Sequence, residues 1–290
     1  MHSCNNTPQT NKASDVLFRG EVKRIQYFIH GIFLFCVMFA FSYSSKCQET
    51  RLPKKYLCYR TDIPLTIDGK ATEKAWQKAQ WTDDFCDIEG SQKPVPRFRT
   101  RAKMLWNNDY LYVLAELYEP HIWANLRQRD TVIFYDNDFE VFIDPDGDTF
   151  KYYEYEMNAL NTQWDLMLTK PYRDGGKALT DWNYDGILSA VSVAGTVNNP
   201  ADTDTCWTVE IAFPMKSFAD TAIVLPVKSG NQWRINFSRV EWKTYIENGN
   251  YKKVINPKTG KPFPEDNWVW SPQGTINMHA PEKWGFIQFK

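Results

Sequence analysis

From Tyr56 onward, apolar and polar positions alternate in short runs separated by turn-forming residues. The runs "RTRAKMLWN" and "YLYVLAELY" flank Asn107-Asn108-Asp109 and read as a hairpin. "DFEVFID" and "YYEYEMN" flank Pro145-Asp146-Gly147-Asp148 in the same way, and "ILSAVSVAGTV" and "CWTVEIAFP" flank Asn198 to Asp202. "QWRINFSRVEW" is a further alternating run, and "WGFIQF" lies at the end of the sequence. A period of two marks strands that cover one face. A helical pattern occurs only around Thr72 to Gln80, with a short helical turn at "PMKSFAD". Many short strands with little helix predict an all-β, antiparallel β-sandwich of jelly-roll or immunoglobulin-like type, with one short N-terminal helix. Glu247 to Asn267 is rich in Gly, Pro, Asn and Lys and reads as a long rim loop.

Alternation also sorts side chains between faces, because successive residues of a strand point to opposite sides. Phe139, Val141 and Ile143 share one face; Asp138, Glu140 and Phe142 share the other. On the next run Tyr153, Tyr155 and Met157 oppose Glu154, Glu156 and Asn158. Trp233, Ile235 and Phe237 oppose Arg234, Asn236 and Ser238. Three strands thus predict an apolar core face and a polar face carrying carboxylates beside aromatic rings. Such a mixture suits a sugar, whose hydroxyls need acceptors and donors and whose C–H faces stack on rings. The plain alternative is the solvated side of an antiparallel sheet.

Composition narrows the partners. Over 290 residues the net charge is −1, which argues against nucleic acid. Aromatic residues make up 16%, more than most cores use, so some rings are expected at a surface that stacks on a ligand. Near the N-terminus, Lys23 and Arg24 precede an unbroken apolar run from Ile32 to Phe41, followed by Ser42, Ser44 and Ser45. This predicts a secretory leader, since the run falls short of the ~20 residues a membrane span needs. The expected organisation is a leader with an upstream extension over 1–47, a linker over 48–55, and one β-sandwich domain over 56–290. The mature chain is then exported to the periplasm, the cell surface or the medium, without a membrane span. With cleavage expected near residue 45, Cys47, Cys58, Cys86 and Cys206 remain in it; one disulfide is allowed there, with no pairing favoured.

Two chemistries besides plain binding fit the acidic hairpin. Asp144, Asp146 and Asp148 alternate as in a calcium loop, but Gly147 comes too early and Tyr155 stands where an EF-hand has its last Glu. A turn with incidental acidity is the simpler reading, with calcium a minority candidate there or near Asp136 and Asp138. Glu140 and Glu156 are a candidate carboxylate pair for glycoside hydrolysis. No G-x-S-x-G motif is present, and the four His are scattered.

"IPLTIDGKATEKAW", "AKMLWNNDYLYVLAEL", "DNDFEVFIDPDGD" and "WTVEIAFP" follow one another in that order. Together they resemble the carbohydrate-binding module family 9-like domains of secreted bacterial proteins, from about Tyr56 to the C-terminus. The opening motif is carried by Ile67, Asp68, Gly69, Glu73 and Trp76. The resemblance implies a glycan-binding β-sandwich that acts without catalysis, often in xylan or other plant-polysaccharide utilisation. It implies a sugar held between two rings, here Phe134 (with Tyr135 beside it) and Trp270, with Glu140, Glu156, Asn158 and Ser238 as polar contacts. This chain departs from the family's site in having Phe at the first ring, Glu156 in place of Arg and Ser238 in place of Gln. Related sandwiches that bind haem make Met157, Met104 and His121 a further alternative.

Overall fold

The structure, a computed structural model, describes residues 52–290; the predicted leader and the first half of the predicted linker lie outside them. Fifteen strands run in chain order through these residues. They are β1 (Lys55–Arg60), β2 (Cys86–Asp87), β3 (Thr100–Trp106), β4 (Tyr110–Tyr118) and β5 (Asp138–Asp144). Then come β6 (Tyr152–Asn158), β7 (Gln163–Leu168), β8 (Ala178–Leu179), β9 (Leu188–Ala194) and β10 (Cys206–Pro214). The last are β11 (Gln232–Glu241), β12 (Thr244–Glu247), β13 (Asn250–Lys253), β14 (Asp266–Val269) and β15 (Gly285–Phe289). One helix, α1 (Lys74–Lys78), and a 3-10 turn at Met215–Phe218 fall where the helical patterns placed them.

All three predicted hairpins form, as β3–β4, β5–β6 and β9–β10. One sheet runs β8-β7-β6-β5-β11, and the far edge of β11 is shared by β15 along its first half and β14 along its second. The other runs β3-β4-β10-β9. Strand β1 joins them: Lys55 to Cys58 pair with β15, and Tyr59 and Arg60 pair with β3. Both pairings are parallel, so the sandwich departs from purely antiparallel order at this one strand. Its partners lie far along the chain, which local alternation does not reveal. The segment expected as a long loop is also more ordered: β12 and β13 form a hairpin and β14 begins at Asp266.

The core lies between the sheets and uses the predicted inward faces. Phe139, Val141, Ile143, Tyr153, Tyr155, Met157, Ile235 and Phe237 meet Val113, Ala115, Leu117, Val209, Ile211 and Phe213. Arg239 follows the same inward parity, two residues beyond Phe237, and is fully buried. Its guanidinium donates to Glu119 (2.6 Å) and Glu241 (2.8 Å), and to Thr100 Oγ1 and the Tyr118 carbonyl on β3 and β4. A charge taken out of water is tolerated only when paired in this way.

The opening motif proves to be a latch. Glu210, at the centre of β10, points away from the core, where its Oε1 accepts the Trp76 indole N–H at 2.9 Å. Its Oε2 accepts the backbone N–H groups of Asp68 (3.0 Å) and Gly69 (3.1 Å). Gly69 has φ +79°, and a Cβ there would lie 2.7 Å from the backbone of Val191 and Ser192 on β9. Two separate sequence motifs thus bind each other, clamping α1 over the outer side of the sheet. Gly69→Ala is therefore expected to cost about 3 kcal/mol, from left-handed strain plus backbone clash. Denaturant unfolding midpoints will check this, and a loss below the range of an ordinary surface substitution would reject the latch.

Candidate functional site

Register decides which polar side chains become neighbours. Glu140 on β5 stands directly opposite Glu156 on β6 and Ser238 on β11. Asp138 pairs with Asn158 and Val240; Phe142 pairs with Glu154 and Asn236. On β7, Trp164 stands opposite Glu156. Outward alternation therefore gathers Asp138, Glu140, Glu154 and Glu156 on one face, and all four are buried.

Above this face lies a cleft of about 230 Å³. Glu140, Glu154 and Glu156 line it, together with Phe142 and Val240. Phe134 forms part of one wall, and Ile276, Asn277, Met278 and His279 part of another, with Glu265 and Asn267 also contributing. Burial pushes the Glu140 carboxyl up to about 7, and pushes Asp138, Glu154 and Glu156 well above the usual carboxylate range. Their mutual repulsion raises the last three further. His279 is held down to about 4 by burial, so it is neutral near pH 7, with Nδ1 3.1 Å from the Tyr152 hydroxyl.

Hydrogen bonding on this face is incomplete. Glu156 Oε2 accepts the Phe134 N–H at 3.2 Å, and Asp138 Oδ1 accepts the Val240 N–H at 3.3 Å. Asp138 Oδ2, Glu140 Oε2 and Ser238 Oγ are buried without a hydrogen-bond partner. The Ser238 hydroxyl lies against the Glu140 carboxylate and lowers its pKa, yet lacks the geometry of a hydrogen bond. Orphaned buried oxygens are costly, and such atoms await a donor from outside.

The residues expected at the site divide into three groups. Glu140, Glu156 and Phe134 line the cleft. Asp138 and Ser238 lie in the same layer, fully buried, while Tyr135 is exposed at the surface with its ring 5.1 Å from that of Phe134. Asn158 and Trp270 are corrections. Asn158 spends its amide on the chain itself, donating to the Leu126 carbonyl and Asp136 and accepting from the Leu160 and Thr162 N–H groups. It shapes loops and has no capacity left for a sugar. Trp270 is 1% exposed and packs on Phe237 at 5.9 Å, with Gly285 leaving room for its ring. Parity is the reason: Trp268 and Trp270 face the core, while Asn267 and Val269 alternate toward the cleft side.

Other expectations resolve similarly. The turn acids are occupied by backbone: Asp144 accepts from Gly147 and Thr149, Asp146 from Asp148 and Ala222, and Asp148 from Phe150. This is the tight-turn reading of that stretch. Met104 and Met157 are fully buried in the core, and His121 is held at Tyr251 by a 3.1 Å contact, so the three are not presented together to a haem. No disulfide joins the described cysteines Cys58, Cys86 and Cys206. Glu154 and Phe142 also line the cleft, and alternation already puts both on this face. Asn267 and His279 carried no local signal, because distant segments bring them to the cleft.

Comparison with known proteins agrees with this architecture. The model of the family described as "Carbohydrate family 9 binding domain-like" matches residues 67–288, and the chain belongs to that family. A carbohydrate binding module family 9 domain of Caldicellulosiruptor kristjanssonii, solved with cellotriose, superposes with a TM-score of 0.51 at 15% identity, over 82% of this chain and 94% of that one. A Bacteroides uniformis protein taken to be carbohydrate-binding gives 0.59 at 14% identity, over 82% and 100%. At these identities the likeness is one of fold. Endo-1,4-beta-xylanase C of Paenibacillus barcinonensis is 33% identical over 92 residues, which is 31% of this chain and 7% of that enzyme. The match thus spans a small part of the enzyme's length.

Two outcomes follow from the placement of side chains. Trp270→Ala should lower stability by about 3–5 kcal/mol through a core cavity, with ligand affinity retained wherever the variant is folded; chemical unfolding beside titration calorimetry reads both. For Glu140, the folded-state value of about 7 exceeds the ordinary 4.5. The folded state then binds more protons between these values, so metal-free protein should lose stability as pH rises from 4.5 to 7, at up to about 1.4 kcal/mol per pH unit for this group. Glu140→Gln should flatten that slope in thermal unfolding series.

Proposed function

We propose that this protein binds glycan chains without cleaving them, as an exported member of its family. The observation that carries this is the acidic, incompletely satisfied floor of the cleft with an aromatic wall beside it. Glu140, Glu154 and Glu156 offer acceptors to sugar hydroxyls, and Phe134 offers a ring to a pyranose C–H face. The complex of one structural relative with cellotriose and the xylanase name of another support a plant-polysaccharide ligand, such as a xylan-derived chain. Export follows from the leader read over residues 1–47. Among the described residues no helix is long and apolar enough to cross a membrane.

The competing reading is a glycoside hydrolase acting through Glu140 and Glu156. These two are directly paired neighbours on one floor, so they lie on the same side of any chain in the cleft. A hydrolase needs its two carboxyls to flank the scissile bond. Glu140→Gln separates the readings. For a binding protein it should weaken affinity for xylo- or cello-oligosaccharide by about 10- to 100-fold, the scale of one charge-assisted hydrogen bond. Neither form should release reducing sugar. Wild-type turnover abolished in the variant, with affinity retained, would establish the hydrolase.

A further inference from the structure

Elsewhere in the fold, buried carboxylates are met by a cation of the chain or by N–H donors, as Glu210 is by the Trp76 indole and the Asp68 and Gly69 amides. Arg239 is fully buried between Glu119 and Glu241. Buried Asp165 is paired with Arg129. The cleft floor is less well served: among the described residues, no Lys, Arg or His forms an ion pair with Asp138, Glu140, Glu154 or Glu156, and the backbone N–H groups of Phe134 and Val240 are donated to only two of the four. The carboxylates of Asp138, Glu140 and Glu156 each bring an oxygen within 4.8 Å of the other two. Two of these residues keep an unpartnered buried oxygen. A residue that is not one of the acids, Ser238 on the neighbouring strand, is 0% exposed and also keeps a hydroxyl without a hydrogen-bond partner, lying against Glu140.

We propose that Asp138, Glu140 and Glu156, backed by Ser238, bind one calcium ion on the floor of the cleft. The donor set is all oxygen, which suits a hard cation. Calcium–oxygen distances of about 2.3–2.6 Å place ligands on opposite sides of the ion about 4.6–5.2 Å apart. Magnesium demands near-ideal octahedral geometry and keeps several waters, which three adjoining carboxylates suit less well than calcium's flexible shell. Calcium takes six to eight ligands, so three carboxylates leave positions that water, or hydroxyls of a bound sugar, would fill from the cleft. The ion supplies the positive charge that the cluster lacks. The turn acids Asp144, Asp146 and Asp148 also lie within 4.8 Å of one another, but their oxygens are engaged by backbone N–H groups.

The test uses full-length protein stripped with chelator, without glycan, so its result does not depend on sugar binding. Titration calorimetry with calcium chloride should show one site per chain, with Kd below about 100 μM, and 1 mM calcium should raise the thermal midpoint. Terbium should bind the same site, sensitised by neighbouring aromatic rings, and be displaced by calcium. Asp138→Asn and Glu140→Gln should each weaken calcium at least tenfold, and each should raise the midpoint in chelator by relieving repulsion. Asp146→Asn should leave calcium affinity unchanged. No calcium heat, midpoint shift or terbium displacement in wild-type protein would overturn the proposal and leave protonation as the cluster's only relief. Loss of binding in Asp146→Asn, with retention in Asp138→Asn, would overturn it in favour of the turn. If a floor variant fails to fold, the wild-type terbium and calorimetry results still decide. Glycan binding that persists while calcium binding is absent would count against the ion alone.

Discussion

Everything at the cleft depends on one constraint: a strand must place alternate side chains on opposite faces, and hydrogen-bonded register then fixes which of them touch. Strands β5, β6 and β11 bring Phe139, Val141, Tyr155, Met157 and Phe237 inward to build the core. The same geometry forces Asp138, Glu140, Glu154 and Glu156 together on the other side. Ordinarily such a face is washed by water. Here neighbouring segments cover it, so like charges share a space where each is desolvated. Packing that stabilises one face of the sheet therefore creates strong demand for donors or cations on the other.

The motifs that carry the family likeness do different work. Asp68, Gly69 and Trp76 never approach the cleft; they bind Glu210 on the opposite sheet and hold α1 in place. The Asp-Pro-Asp-Gly-Asp turn likewise spends its acids on its own backbone amides. Only the strand between Asp138 and Phe142 serves architecture and site at once. In this chain those motifs thus report mainly on how the sandwich is closed, while the cleft is lined from a few outward positions of β5 and β6.

The aromatic residues are divided in a similar way. A fraction of 16% suggested rings set aside for a ligand. Most of them instead form a continuous set of edge and tilted contacts within the core, such as Tyr153 with Phe218 and Tyr184 with Phe213. Phe134, Tyr135 and Trp164 remain near the surface. Aromatic content alone therefore overstates how much platform the cleft has.

The sequence by itself determined the elements whose signal is local. Period-two alternation, turn clusters and a short amphipathic stretch defined three hairpins, α1 and the inward and outward faces of the central strands. That was enough to expect a β-sandwich and to put Glu140 and Glu156 on a polar face; the register that makes them neighbours came from the structure. Tertiary structure decided whatever depends on contacts between distant segments. The parallel strand β1 gains its partners from β15 and β3, far along the chain. Trp270 and Asn158 looked available because the residues that consume them, Gly285 and Phe237 for one and Leu126 and Asp136 for the other, are not their sequence neighbours. Burial of the four carboxylates is likewise a product of covering segments, including Ile276 to His279, that no alternation in β5 or β6 encodes. A strand specifies which way its side chains point; only packing specifies whether water or protein meets them there.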